Sequence, residues 1–276
     1  DPQYHYDCIV KGLRIAASHL PRVDAIGGSS AGIFCRNEIT LASLFRSVPL
    51  DVFNRRVRPM FQTIADREFN GVPIVVCNDG DVTALAGAMS LQRNAILGVA
   101  MGSSEAAGYI DPAGLIRGYL NELAFAPVDY NPAAPRDEWS GDAGVGALYF
   151  SQQAVNKLAP AAGSSFPAEM RLPERLKEVQ ARANRGEANA LRIFETIGVY
   201  LAYTIPHYAD YYDYANLLIL GRVTSGHGGE RLMETARTVL KKVFPAVNER
   251  ITLHVPDEKS RRVGQAVAAA SLPRLG

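Results

Sequence analysis

The chain has 276 residues, 47% of them apolar and 21% charged, which is enough material for one large core or two smaller ones. Its 29 basic and 28 acidic residues leave a formal charge of +1, so no strong field exists to draw in nucleic acid or an anionic membrane, and a small-molecule partner is expected. The three scattered cysteines, Cys8, Cys35 and Cys77, read as reduced thiols of a cytoplasmic protein, and no Cys-x-x-Cys, His-x-x-His or His-Glu-x-x-His spacing supports a zinc site.

In chain order, Ile9, Val10, Leu13, Ala16, Ala17 and Leu20 fall at helical spacing after Asp7, and Pro21 ends the pattern. The opening at Asp1-Pro2, without an initiator Met and almost at once into helix, suggests a processed or truncated piece. No apolar run reaches the roughly 18 residues that span a bilayer, and no signal pattern opens the chain. Val23 to Gly28 reads as a short strand entering the turn Gly27-Gly28-Ser29-Ser30-Ala31-Gly32. Residues 51–69 read as an amphipathic helix, Pro73 to Cys77 as a buried strand, and 81–91 as a small-residue helix. That alternation predicts an α/β layer fold.

The second stretch begins with a strand at 96–100, the turn Met101-Gly102-Ser103-Ser104, and a returning strand at 106–110. Residues 126–144, rich in Pro, Asp and Gly, form a long loop. One or two helices cover 173–207, a buried strand covers 217–220, and a turn runs from Gly221 to Gly226. A helix at 229–243, a strand near 251–254 and a helix at 260–271 close the chain, with no short-period repeat and no low-complexity tract.

Three strand ends carry candidate chemistry. Asp79, between Asn78 and Gly80, stands where a buried strand finishes, the place open α/β sheets put their ligands. A carboxylate there can accept the proton of a substrate hydroxyl as it attacks a phosphoryl group, although Asn-Asp-Gly by itself is equally an ordinary turn. Gly102-Ser103-Ser104 follows a second strand, with backbone N–H groups and hydroxyls suited to phosphate oxygens. Gly221 to Gly226 follows a third. Each would be a plain loop alone; their order and spacing carry the signal.

Asn78-Asp79 before a small-residue helix, Leu97 to Ser103, Asn121-Glu122-Leu123-Ala124-Phe125, and Leu218-Ile219-Leu220-Gly221 together resemble the ROK (repressor, open reading frame, kinase) group of the actin-like sugar-kinase superfamily. The resemblance covers most of the chain. It implies a two-lobed, ribonuclease-H-like fold: a lobe of residues 1–95, incomplete beside the family pattern and with helix 260–271 packing back on it, and a lobe of 96–259. The cleft would be lined by Asp79, Gly102, Ser103, Glu122 and Gly221. By carry-over Asp79 is the base, Asn78, Glu122 and Gly32 contact the sugar, and Gly102, Ser103, Ser104, Gly221 and Thr224 contact ATP. The implied activity is ATP-dependent phosphorylation of a sugar hydroxyl, in a protein expected to be a cytoplasmic homodimer.

The departures narrow that expectation. Phe125 stands where a sugar-binding His is usual, Ala147 where a second sugar-binding Glu is usual, and Trp139 to Gly146 replaces the zinc segment, so no zinc is expected. The Asp-x-Gly-Gly-Thr hairpin that holds Mg-ATP has no match before Asp7, so ATP and Mg2+ are implied only if that hairpin exists in the full protein. A non-catalytic sugar-binding or regulatory homologue is the first alternative. The second is a patatin-like serine hydrolase, because Gly28-Ser29-Ser30-Ala31-Gly32 matches Gly-x-Ser-x-Gly with Ser30 as nucleophile and Asp79 as its partner. That enzyme needs an upstream oxyanion loop that is absent here, and Ile33 to Leu44 reads equally well as strand.

Among other polar groups, Glu105 directly follows the phosphate-type turn, where it would repel ATP and so hints at a changed ligand. His207 with Tyr203, Tyr208, Tyr211, Tyr212 and Tyr214 reads as packing or an oligomer contact. Arg46, Arg55, Arg56 and Arg58 read as a solvated helix face, and Arg222 and His227 as exposed loop charge.

Overall fold

A computed structural model describes residues 1–256 and 258–274. They divide into two units, one of residues 1–90 with 258–274 and one of 91–256.

The first unit begins with α1 (Pro2–Ala17), which starts seven residues before the apolar periodicity because Asp1, not Asp7, is its cap. The Asp1 carboxylate accepts from the Gln3 N–H at 2.9 Å, and Pro2 suits a position whose N–H has no partner anyway. Strand β1 (Ile26–Ser30) follows, so most of the expected glycine turn is strand. Next come β2 (Ile33–Cys35) and β3 (Glu38–Leu41), an antiparallel hairpin. The expected helix over 51–69 is broken into α2 (Leu50–Val52), a π-helical turn at Phe53–Val57, and α3 (Met60–Glu68). Pro59 has no N–H to continue the ladder, and the Arg58 N–H reaches back five residues to the Phe53 carbonyl at 2.9 Å. Strand β4 (Ile74–Asn78) runs parallel to β1, pairing Ile26 with Ile74 and Ser30 with Asn78. It leads directly into α4 (Asp79–Leu91).

The β2–β3 hairpin is tied to β4 by one side chain. Asn37, in the left-handed region at φ 67°, donates from Nδ2 to the Ile74 carbonyl at 2.7 Å and accepts at Oδ1 from the Val76 N–H at 3.0 Å. An amide is the side chain that offers a donor and an acceptor side by side, so it satisfies two strand groups as a neighbouring strand would. Below it, Ile39, Met60, Ile64 and Val76 form the unit's core.

The second unit is built on a four-stranded sheet of β5 (Ile96–Met101), β6 (Glu105–Ile110), β7 (Asn216–Leu220) and β8 (Thr252–His254), in the order β6-β5-β7-β8. β6 is antiparallel to β5 and the rest are parallel. β5 and β7 are covered on both faces, which is why they read as unbroken apolar runs. Between β6 and β7 lie α5 (Gln152–Leu158), α6 (Leu172–Asn184) and α7 (Ala188–Ala209); α8 (Gly226–Val243) and α9 (Pro245–Arg250) follow β7. α7 and α8 approach closely at Gly198, where a Cβ would fall 2.9 Å from the Thr235 Cβ and closer still to the Leu232 carbonyl. Phe194, Ile197 and Leu201 of α7 pack into the same core as Leu97, Leu217 and Leu232. Each side chain so buried contributes about 1.5 to 3 kcal/mol.

The last helix, α10 (Glu258–Ala270), belongs to the first unit and lies on β1. Gly27 makes this possible, because a Cβ there would fall 2.5 Å from the Ala269 carbonyl carbon and 2.9 Å from the Ala270 Cα. Ala268 and Ala269 pack with Val82 of α4. Among the described residues no helix is long and apolar enough to cross a membrane.

Candidate functional site

In the first unit Asn78 is the last residue of β4 and Asp79 the first of α4, so the expected tight turn is a strand passing straight into a helix. The Asn78 amide is engaged at both ends: Nδ2 donates to the Gly32 carbonyl at 2.8 Å and Oδ1 accepts from the Gly80 N–H at 2.8 Å. Gly32 sits at φ 125°, and a Cβ there would fall 2.7 Å from the Leu41 carbonyl, so only glycine presents its carbonyl to Asn78 without strain. The Asp79 carbonyl accepts from the Thr83 hydroxyl at 2.7 Å and from Gln265 Nε2 of α10 at 3.2 Å. Gln265 also donates to the Ser29 hydroxyl at 3.0 Å. These bonds fix the backbone and leave the Asp79 carboxylate half-buried at a helix N-terminus, accepting from the Gly80 N–H at 3.1 Å. The helix end suits that negative charge.

Ser30 does not form a nucleophile elbow. It ends β1, its hydroxyl reaches only the neighbouring Ala31 carbonyl at 3.4 Å, and the chain continues into a strand hairpin, not the helix that would expose and strain a nucleophile. Cys77 is no better placed as a nucleophile, since burial, with Asp81 adding to it, pushes its thiol up.

In the second unit the Gly102 and Gly221 turns lie at the C-terminal ends of the adjacent parallel strands β5 and β7. The structure brings them into contact: Gly221, at φ 102°, lies against the Met101 backbone, where a Cβ would fall 2.6 Å from the carbonyl carbon and 2.7 Å from the nitrogen. Gly102 donates its N–H to the Ser104 carbonyl at 3.0 Å and accepts from the Gln152 N–H of α5 at 3.0 Å, while Ser103 and Ser104 remain exposed. Thr224 is buried, its hydroxyl turned back on the Gly221 carbonyl at 2.9 Å, so it braces the turn and offers no free hydroxyl. At the start of α8 one N–H is already taken, because His227 donates its N–H to Asn184 Oδ1 at 2.9 Å. Glu122 is exposed and starts the short turn Leu123–Phe125.

Glu105 differs from its expectation. It is 5% exposed and turns away from Ser103 and Ser104 into the core, where its Oε1 accepts from the Tyr208 hydroxyl at 3.2 Å. The tyrosines near His207 divide: Tyr208 and Tyr214 are buried, whereas Tyr203 and Tyr211 are exposed. Arg58 is half-buried with its Nε out of solvent, so it is less solvated than that helix face was expected to be. Among the described residues no three His, Cys, Asp or Glu side chains cluster as metal ligands would. Gln265 and Gln152 were not evident as site residues, because Gln265 reaches the site through its side chain from a helix distant in the chain and Gln152 through its backbone N–H.

No protein-family model matches the chain, and no curated protein sequence is similar to it. Solved structures are. A ROK family transcriptional regulator, a homologue of the E. coli MLC protein, superposes with a TM-score of 0.73 at 17% identity, over 98% of this chain and 68% of that one. A ROK hexokinase from Thermus thermophilus gives 0.69 at 18%, over 96% and 85%. A ROK family glucokinase from Streptomyces griseus, solved with glucose and AMPPNP, gives 0.69 at 19%, over 98% and 88%. The chain therefore has the actin-like fold that these ROK kinases and this ROK repressor share, at 17–19% sequence identity.

Proposed function

We propose that this chain is a sugar phosphotransferase of the ROK type, with Asp79 as general base. The observation that carries the reading is the Asp79 carboxylate itself, half-buried at a strand-to-helix junction whose backbone and whose Asn78 neighbour are held by hydrogen bonds. A carboxylate so fixed can take the proton of a sugar hydroxyl as that oxygen attacks phosphorus, while Asn78, Gly32 and Glu122 contact the sugar. Gly102, Ser103, Ser104 and Gly221 would hold the phosphates of ATP, which supplies the phosphoryl group when bound. The exposed serine hydroxyls and the close approach of two glycine turns support that role, and Thr224 acts by bracing Gly221.

Replacing Asp79 by Ala is expected to lower kcat about 100- to 10,000-fold with the far-UV circular dichroism and melting temperature retained. Turnover of a sugar panel with Mg-ATP measures it, and a variant as active as the wild type would remove Asp79 from the mechanism. A second reading, a sugar-binding regulator without turnover, is favoured by one observation. Phe125 packs its ring on Trp139 at 5.1 Å and Ala147 is 1% exposed, so two positions that the resemblance makes polar sugar contacts are apolar. Thermal shifts separate the two: stabilisation by sugar but never by Mg-ATP selects the regulator, stabilisation by both selects the kinase.

A further inference from the structure

Glu105 opens β6 directly after the Gly102–Ser104 turn and is a carboxyl group that the proposed chemistry does not use. Its Oε1 has the Tyr208 hydroxyl, but Oε2 is buried without a partner. That oxygen faces Gly146, where an added Cβ would collide with it and would lie 2.5 Å from the Leu123 carbonyl oxygen. Two acceptors, Oε2 and the Leu123 carbonyl, thus border the same small space. As a carboxylate, Glu105 would be a buried charge facing a carbonyl dipole of the same sign, which costs far more than an ordinary buried polar group. As a carboxylic acid it would present a donor to an acceptor.

We propose that Glu105 is carried as a neutral carboxylic acid whose proton, on Oε2 and directed at the Leu123 carbonyl, clasps the Gly102–Ser104 turn to the Leu123–Phe125 turn and to α7, and that loss of this proton loosens the clasp. The titratable groups that face it come from one direction: Tyr208 of α7, with Tyr214 and Tyr212 beside Tyr208. The Leu123–Phe125 and Gly146 segments bring backbone to it. Burial pushes the carboxyl up to about 8, and the Tyr208 hydrogen bond only partly opposes this. Glu105 is in this sense a positioning residue for the turn, whatever the turn binds.

The sign of the pH dependence follows from that direction. The folded-state value lies above the unfolded one, near 4.3, so between about pH 4.5 and about pH 8 the unfolded chain has released the proton and the folded chain has not. Stability falls as pH rises through that window and levels off above it. Carbon NMR of the wild-type protein labelled at glutamate carboxyl carbons should show one resonance titrating above about pH 7; ionisation of every glutamate below about pH 6 would overturn the proposal. Glu105→Gln replaces the proton with an amide donor that does not titrate, and it should remove that resonance. Relative to wild type, its folding constant should rise by roughly tenfold per pH unit between about pH 5 and about pH 7. A Glu105→Gln to wild-type ratio that stays constant with pH would show that the carboxyl is ionised in the fold and that the clasp does not exist.

Discussion

Gly221 offers the sharpest test of how the two glycine turns are built. Its backbone, at φ 102° and ψ 173°, lies in a region that only glycine enters freely, so a Gly221→Ala variant carries about 1 to 3 kcal/mol of backbone strain. The new methyl group also meets the Met101 backbone, with the carbonyl carbon at 2.6 Å and the nitrogen at 2.7 Å. Met101 cannot retreat easily, because β5 is paired with β6 on one side and β7 on the other, so overpacking adds about 1 to 3 kcal/mol. The total, about 2 to 6 kcal/mol, is a large share of the roughly 5 to 15 kcal/mol by which folded proteins are stable. Gly102→Ala is the internal control, since the nearest atom to its added Cβ is the Ser104 carbonyl oxygen at an ordinary 3.6 Å, and its cost should stay within about 0.5 kcal/mol. Urea unfolding followed by circular dichroism reads both. At an m-value of about 1 to 3 kcal/mol/M the Gly221→Ala midpoint should fall by about 0.7 molar or more while the Gly102→Ala midpoint stays put. A Gly221→Ala protein within about 0.5 kcal/mol of wild type, at unchanged m-value, would refute the contact between the turns.

Asn37→Ala removes two hydrogen bonds to β4 and places a residue with a Cβ and no compensating side chain at φ 67°, so a loss of about 2 to 3 kcal/mol is expected in the same assay; Asn37→Asp, which cannot donate to the Ile74 carbonyl, should recover little of it. Lys157 lies with its Nζ 3.6 Å over the Tyr149 ring, and burial lowers it to about 8, with Asp129 acting against the shift. Half of it is then neutral at about pH 8, so limited acetylation with mass-spectrometric mapping should modify Lys157 about tenfold faster than exposed lysines. Modification of Lys157 last among the lysines would show that its access is blocked and that the uncharged fraction is inconsequential.

The α/β layering was legible because the strands that anchor it face other elements, β5 and β7 being buried on both faces and β4 buried on one and half-buried on the other. Residues 74–77, 96–100 and 217–220 therefore appear as apolar runs that glycine turns punctuate, and no tertiary information is needed to see them. β1 was legible only in part, since Gly27-Gly28-Ser29-Ser30 has poor strand propensity and becomes strand through pairing with β4 and cover from α10. α5 was missed because seven largely polar residues carry no helical periodicity; its signal was Ser151, whose hydroxyl accepts from the Gln153 N–H at 3.0 Å. Glu105 could have been placed by parity, since it alternates inward with Ala107 and Tyr109 along β6.

Sequence alone determined the class of fold and the strand ends where Asn78-Asp79, Gly102-Ser103 and Gly221 fall, since hydrophobic runs and turn residues are local signals. Only the tertiary structure decided what each of those residues does with its hydrogen bonds. Asn78 is held by Gly32, the Asp79 backbone by Gln265, and Gly221 lies against Met101, in each case through a contact between segments that are distant in the chain. The same holds for Glu105, whose burial against Tyr208 and Gly146 turns a charge that seemed to face a ligand into a proton held in the core. Periodicity reports which face of an element is apolar, but the partner of a polar atom is set by packing, which periodicity does not encode.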